Sequence, residues 1–226
     1  MPEPVSLSFE ATQEKGQVSA IHLQVPDSKS LFVFAHGAGA DMSHQHMSQL
    51  ADALVEQSIS SLRFNFPYMQ AGGKRTDNLS VCVSTITNAF LLAKSLQPDA
   101  SIFLGGHSFG GRMASHFAAQ AENQLAHEFT GLVYFSFPLH ASKKPDTRRA
   151  SHLTQIKNPQ LFISGTRDTL AYLDLLEPIV NSLPQGRLHL LDTADHGFKI
   201  LKRTRTSTES VYEESGRIVR QWIDEI

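Results

Sequence analysis

A chain of 226 residues with 41% apolar content is long enough to bury one substantial core, and no shift in composition divides 1–226 into two domains. The formal charge of −2 argues against a general nucleic-acid binder, and the single cysteine, Cys82, excludes an internal disulfide and gives no zinc cluster, which suits a reducing compartment. Met1-Pro2-Glu3-Pro4 lacks the basic and apolar regions of a signal peptide, and the apolar runs are strand-sized, far short of the roughly 20 residues that span a bilayer, so a soluble cytoplasmic protein with no membrane partner is expected.

In chain order, strands near 6–9 and 19–25 are expected to pair as an antiparallel edge hairpin around Glu14-Lys15-Gly16. Strand 31–35 is apolar throughout and runs straight into His36-Gly37-Ala38-Gly39. Helix 44–57 carries Met47, Leu50, Ala51, Leu54 and Val55 at the spacing of one buried face. In strand 60–66, Arg63 and Asn65 alternate with Leu62, Phe64 and Phe66. Asn65 near the strand end either touches a functional site or lies with a buried Arg63 that pairs with a carboxylate beneath it; the second is the simpler account. Helix 79–96 repeats the buried spacing with Ile86, Ala89, Phe90 and Ala93.

The next strand, 102–104, stops at glycines and gives way to a helix with small residues at Ala114, Ala118 and Ala119. Between them stands Gly106-x-Ser108-x-Gly110. Glycine-rich loops produce that pattern by chance. With a strand before it and a helix after it, the pattern reads as a nucleophile elbow, a tight bend that exposes a serine hydroxyl at the positive end of a helix. Arg112, one turn further on, reads as a structural pair or a surface cation rather than a substrate clamp.

Strand 131–136 follows, then a connection over 137–158 of about 20 residues, polar and basic, too short for a large cap and without the broad apolar face of a lipase-like lid. Strand 160–164 leads to Gly165-Thr166-Arg167-Asp168, and then to a helical region that Pro178 should interrupt or restart. Strand 187–191 leads to Asp195-His196-Gly197-Phe198, and a last helix near 208–225 buries Val211, Ile218, Val219 and Trp222. The alternation predicts an α/β fold: a mostly parallel eight-stranded sheet with helices on both faces.

A serine hydroxyl is a weak nucleophile until a base takes its proton, and the base needs a third group to orient it. Ser108, Asp168 and His196 occur in the order nucleophile, acid, base, each just past the carboxyl end of a strand, where open α/β sheets place their crevice. Taken singly, Asp168 reads equally as a helix cap and His196 as one loop histidine among eleven. Asp192 and Asp195 lie too near His196 in the chain to buttress it easily, His189 falls inside a strand, and His107 belongs to the elbow. Charge developing on a carbonyl oxygen also needs preset donors. The backbone N–H groups of Phe109, after the nucleophile, and Ala38, in the glycine turn after strand 31–35, are the candidates.

These motifs resemble the α/β-hydrolase superfamily over nearly the whole chain. Within it the sequence is similar to small dienelactone-hydrolase-like proteins. It is most similar to the group that joins bacterial hydrolases with the hydrolase-like domain of a non-specific-lethal chromatin complex subunit. The resemblance rests on His36-Gly37-Ala38-Gly39-Ala40-Asp41, Arg63-Phe64-Asn65-Phe66-Pro67-Tyr68-Met69, Gly110-Gly111-Arg112-Met113-Ala114 and Ser164-Gly165-Thr166-Arg167-Asp168. Dienelactone hydrolases proper use a cysteine nucleophile where this chain has Ser108, so their substrate does not carry over.

The resulting expectation is a serine hydrolase acting on a small carboxylic ester or thioester with no metal or organic cofactor. The alternatives are a non-catalytic scaffold that retains the fold, and an acyltransferase. Three basic segments follow strand ends: Lys74-Arg75, Lys143-Lys144 with Arg148-Arg149, and Lys199 with Lys202-Arg203. They read as solvated loop cations, or as a rim that draws in an anionic substrate.

Overall fold

The computed structural model describes residues 2–120, 125 and 128–226 and settles the alternating runs into one sheet between two helical layers. In chain order the strands are β1 (Val5–Thr12), β2 (Gly16–Leu23), β3 (Ser30–Ala35), β4 (Ser60–Phe64), β5 (Ser101–His107), β6 (Gly131–Phe135), β7 (Gln160–Gly165) and β8 (Gly186–Leu191). The helices are α1 (Gln45–Glu56), α2 (Pro67–Gln70), α3 (Leu79–Leu96), α4 (Phe109–Ala118), α5 (Leu173–Ser182) and α6 (Val211–Glu225). The sheet order is β1-β2-β4-β3-β5-β6-β7-β8, antiparallel from β1 through β2 to β4 and parallel thereafter.

The parallel strands are covered on both faces, which explains why they read as unbroken apolar runs. In β3 the alternation is plain: Leu31, Val33 and Ala35 pack on the side of α3, α4 and α5, whereas Phe32 and Phe34 pack on the side of α1 and α6. Full burial of such a side chain is worth about 1.5–3 kcal/mol, and a one-residue slip would turn each set toward the opposite layer and mispack both. Register holds Ala35 beside Gly106, His107 beside Phe135 and Gly165 beside Leu191, aligning the carboxyl ends of the central strands. Every loop that carries a candidate site residue leaves from that edge.

Three local expectations differ from the structure, and a fourth feature, a short helix, was not expected at all. First, α5 runs through Pro178 without a break. The carbonyl four residues back belongs to Asp174, and both Asp174 and Pro178 are exposed, so water can serve the orphaned acceptor. Second, Arg63 is buried but pairs with no carboxylate among the described residues; its Nη1 donates to Ser48 Oγ at 2.9 Å, while Asp52 acts only through its charge. Third, α3 is long and apolar enough to cross a bilayer by length and composition, although its apolar residues are interleaved with Ser, Thr and Asn and form no long contiguous run. It packs Val81, Cys82, Ile86, Ala89, Phe90 and Ala93 into the core. Fourth, α2 escapes a periodicity search because it is a single turn started by Pro67. The connection 137–158 holds only two short turns of 3₁₀ helix, so no large cap covers the sheet edge.

Candidate functional site

β5 ends at His107 and α4 begins at Phe109, leaving Ser108 to make the whole bend at φ 50°, ψ −113°. That conformation is costly for a residue with a side chain and survives only where its surroundings over-determine it. Here the Ser108 N–H donates to Phe135 O at 2.9 Å, and Ser108 O accepts from Arg112 N–H at 3.1 Å. The glycines at either side of the serine are needed for close approach: a Cβ at Gly106 or at Gly110 would stand 2.2 Å from Ala35 O. The bend therefore presses against the end of β3 and holds Ser108 at the α4 N-terminus, where the helix dipole favours developing negative charge.

His196 reaches Ser108 from the loop after β8, with Nε2 2.8 Å from Ser108 Oγ. Its Nδ1 lies 2.8 Å from Asp168 Oδ2 and 3.0 Å from Oδ1. An ionised carboxylate only accepts, so Nδ1 carries the proton and Nε2 is free to accept from the serine hydroxyl. The Asp168 side chain is fully buried, whereas the His196 side chain is 21% exposed. Asp168 Oδ1 also accepts from Leu170 N–H at 2.8 Å, so the cap-like role and the histidine contact coexist in one side chain. The rival carboxylates are engaged locally. Asp195 Oδ1 accepts from Gly197 N–H and Lys199 N–H, and Asp192 Oδ2 accepts from Thr206 N–H. His189 pairs with Glu214 at 2.9 Å. Such an array can move a proton from a hydroxyl to an imidazole and stabilise the imidazolium formed.

His107, the residue between the strand and the serine, supports this array from behind. Its Nε2–H donates to His196 O at 3.0 Å, and its ring lies 4.3 Å from that of His46, centroid to centroid. Burial pushes His107 down to about 4 and His46 to about 2, so neither competes with His196 for a proton near neutrality. His46 Nδ1 lies 3.0 Å from the Tyr212 hydroxyl, linking α1 to α6 behind the site.

The glycine turn after β3 is held from several directions. His36 Nε2 accepts from Phe66 N–H at 3.1 Å, which leaves its Nδ1–H to donate to Gly37 O at 2.8 Å. Burial lowers the His36 pKa and favours this neutral form. Gly37 O also accepts from Ala40 N–H at 3.1 Å. A trans peptide points its N–H opposite its carbonyl, so pinning Gly37 O fixes the direction of the Ala38 N–H. Tyr68 Oη donates to Ala38 O at 3.0 Å, and Asn65 Oδ1 accepts from Met42 N–H at 2.9 Å. Asn65 thus shapes the loop rather than supporting Arg63. Phe109 opens α4, where an N–H has no intrahelical acceptor.

The positioning roles of His36, Tyr68 and His107 have little sequence signal beyond their place in the motifs. Among the described residues no group of three or more His, Cys, Asp or Glu side chains could hold a metal ion. Cys82 is buried and pushed up to about 12 by burial and then by Asp77, so it offers no thiolate.

A family model described as an alpha/beta hydrolase domain matches residues 28–224. Among solved structures, a dienelactone hydrolase from Anabaena variabilis superposes with a TM-score of 0.73 at 16% identity, covering 98% of each chain. An α/β serine hydrolase without lid from Xanthomonas campestris superposes at 0.70 and 17% identity, covering 99% of this chain and 94% of that one. An esterase from Pyrococcus furiosus gives 0.72 and 19%, covering 99% and 92%.

Proposed function

Because the chain belongs to the α/β-hydrolase family, we propose that it cleaves a small carboxylic ester or thioester through an acyl-enzyme on Ser108. The observation that carries this reading is the continuous contact from Ser108 Oγ through His196 to the buried Asp168, 2.8 Å on each side of the imidazole. Ser108 Oγ attacks the carbonyl carbon while its proton passes to His196 Nε2. Asp168 holds the imidazolium, and the N–H groups of Phe109 and Ala38 receive the oxyanion. Collapse expels the alcohol or thiol, which takes the proton from His196. Water then gives a proton to the same nitrogen and attacks the acyl carbon, and as the intermediate collapses His196 returns that proton to Ser108 Oγ, releasing the carboxylic acid and free Ser108.

The absence of a large cap over 137–158 supports water rather than another alcohol as the final acceptor, since the crevice stays open to solvent. The serine hydrolase without lid and the esterase among the structural neighbours agree with such a site. The test is turnover of short-chain p-nitrophenyl esters together with labelling by a fluorophosphonate probe. Wild type should turn over and be labelled at Ser108, and Ser108→Ala should do neither. Wild-type protein that behaves like the alanine variant in both assays would sink the proposal.

A further inference from the structure

A cavity of about 440 Å³ opens beside α4, lined among others by Arg112, His116, Lys144, Arg148, Arg149 and His152. Among the described residues its one lining carboxylate, Asp146, is already held by Arg148 at 2.9 Å. Arg112 has no carboxylate within ion-pair distance among the described residues, and its buried Nε lacks a hydrogen-bond partner. Arg112 thus finds no carboxylate among the described residues for the first of its two readings from sequence, a structural pair or a surface cation. Its guanidinium carbon instead lies 5.9 Å from the centre of the Phe109 ring. Burial, and then the like charge of Arg149, holds Arg112 below the usual guanidinium range. His152 stacks on His116 at 3.7 Å and is pushed down to about 4 by burial, His116 and Arg112 in that order. Arg112, partly buried beside Arg149 with its Nε unsatisfied, thus carries a penalty that a bound anion would relieve.

We propose that this pocket binds a dianionic phosphate group, either free or carried on a small organic molecule. Four permanent cations against one carboxylate leave an excess of three positive charges on the wall. A monoanionic carboxylate would compensate only one of them, whereas a phosphate dianion compensates two and presents the oxygens that guanidinium forks recognise. The volume falls in the usual range for small-molecule sites, about 300–1,000 Å³, and leaves room for an organic body beyond the phosphate. Of the three basic segments after strand ends, one converges here, through Lys144, Arg148 and Arg149; Lys74-Arg75 and Lys199 with Lys202-Arg203 do not line the cavity. Arg112 follows Ser108 by one turn of α4, about 6 Å along the axis, so a phosphate held here would flank the elbow. The site nevertheless stands without any chemistry at Ser108.

Calorimetric titration at matched ionic strength tests it, with inorganic phosphate, phenyl phosphate and acetate as probes against wild type and Ser108→Ala. Both phosphates should saturate at one per chain with equal affinity in the two proteins, and acetate should bind at least tenfold more weakly. Arg112→Gln should weaken phosphate at least tenfold. So should the double variant Lys144→Gln/Arg149→Gln, which leaves the α4 side chains intact, with circular dichroism unchanged. Tighter binding of phenyl phosphate would identify a phosphate carried on an organic body, and equal binding the free ion; either supports the site. Absence of saturable phosphate binding, acetate bound as well as phosphate, or affinity unmoved by both variants would overturn it. Such a failure would leave the labelling of Ser108 untouched.

Discussion

The Tyr68 hydroxyl and the Asp168 carboxylate lie at different removes from Ser108, the proposed nucleophile, and substitution should separate them. Tyr68→Phe keeps the ring in the core and deletes one hydrogen bond to Ala38 O, worth about 1 kcal/mol. With a looser loop behind the proposed oxyanion donor at Ala38, kcat for p-nitrophenyl acetate should fall roughly fivefold while KM changes little; an unchanged kcat would free Tyr68 of any positioning role. Asp168→Asn keeps the cap to Leu170 N–H through its amide oxygen but no longer favours the Nδ1–H tautomer of His196. Turnover should drop by about 10³–10⁴-fold with a native circular dichroism spectrum. Asp195→Asn should cost far less, because Asp195 serves its own loop; an inactive Asp195 variant beside an active Asp168 variant would reverse the assignment. Ser108, Asp168 and His196 were legible in the sequence because each sits just beyond a recognisable strand in a fixed order. Tyr68 and His36 were not. Their bonds join residues 30 positions apart, and nothing local in an aromatic or a histidine announces a distant carbonyl or N–H.

Elements differ in how far their ends and interiors follow local rules. The start of α6 was expected near 208, yet Ser210 and Glu213 form a reciprocal capping box and the helix begins at Val211. The Ser-x-x-Glu spacing that marks this start was present in the chain. Ser210→Ala should lower stability by about 1 kcal/mol in urea unfolding. That helix also anchors the segment after His196: Arg205 bonds both Asp192 O and Glu214, and Glu214 in turn meets His189 on β8. In α5 the rule against interior proline fails because the acceptor that loses its donor faces water. The cost remains, so Pro178→Ala should stabilise the protein by about 1–3 kcal/mol in the same assay. A destabilised variant would mean that the proline is required by packing or turn geometry at the α5 surface. Exposure, which decided this case, is set by tertiary packing and could not be read from the α5 residues themselves.

At the scale of the whole molecule, buried histidines make folding sensitive to acid. His107 and His152 are lowered to about 4 and His46 to about 2, against an ordinary value of 6.5 in the unfolded chain. Below pH 6.5 the unfolded state therefore binds protons that the native state refuses, and stability rises with pH. The contribution is fully present above 6.5. It is lost as pH falls towards 4 for His107 and His152, and continues to fall below 4 for His46. Around pH 5 each such histidine adds up to about 1.4 kcal/mol per pH unit to the slope. Urea unfolding from pH 7.5 to 4.5 should show this steep loss, and His46→Phe should reduce the slope by close to one proton. An unaltered slope would mean that His46 titrates normally. The alternation of strands and helices, the edge hairpin and the two-sided sheet were readable from apolar runs such as 31–35 and 102–104. The order that sets β4 between β2 and β3 was not, since strands covered on both faces look alike to any neighbour.

The sheet order also has a consequence in time. His196 follows Ser108 by 88 residues, on a loop that leaves the last strand of the sheet. At a synthesis rate of about 5–20 residues per second, roughly 4–18 s pass between the appearance of the two. A nascent chain halted before residue 196 thus exposes a serine with no base beside it. A fluorophosphonate added to such stalled chains should leave them unmarked, so that reactivity arrives only with the segment that carries His196.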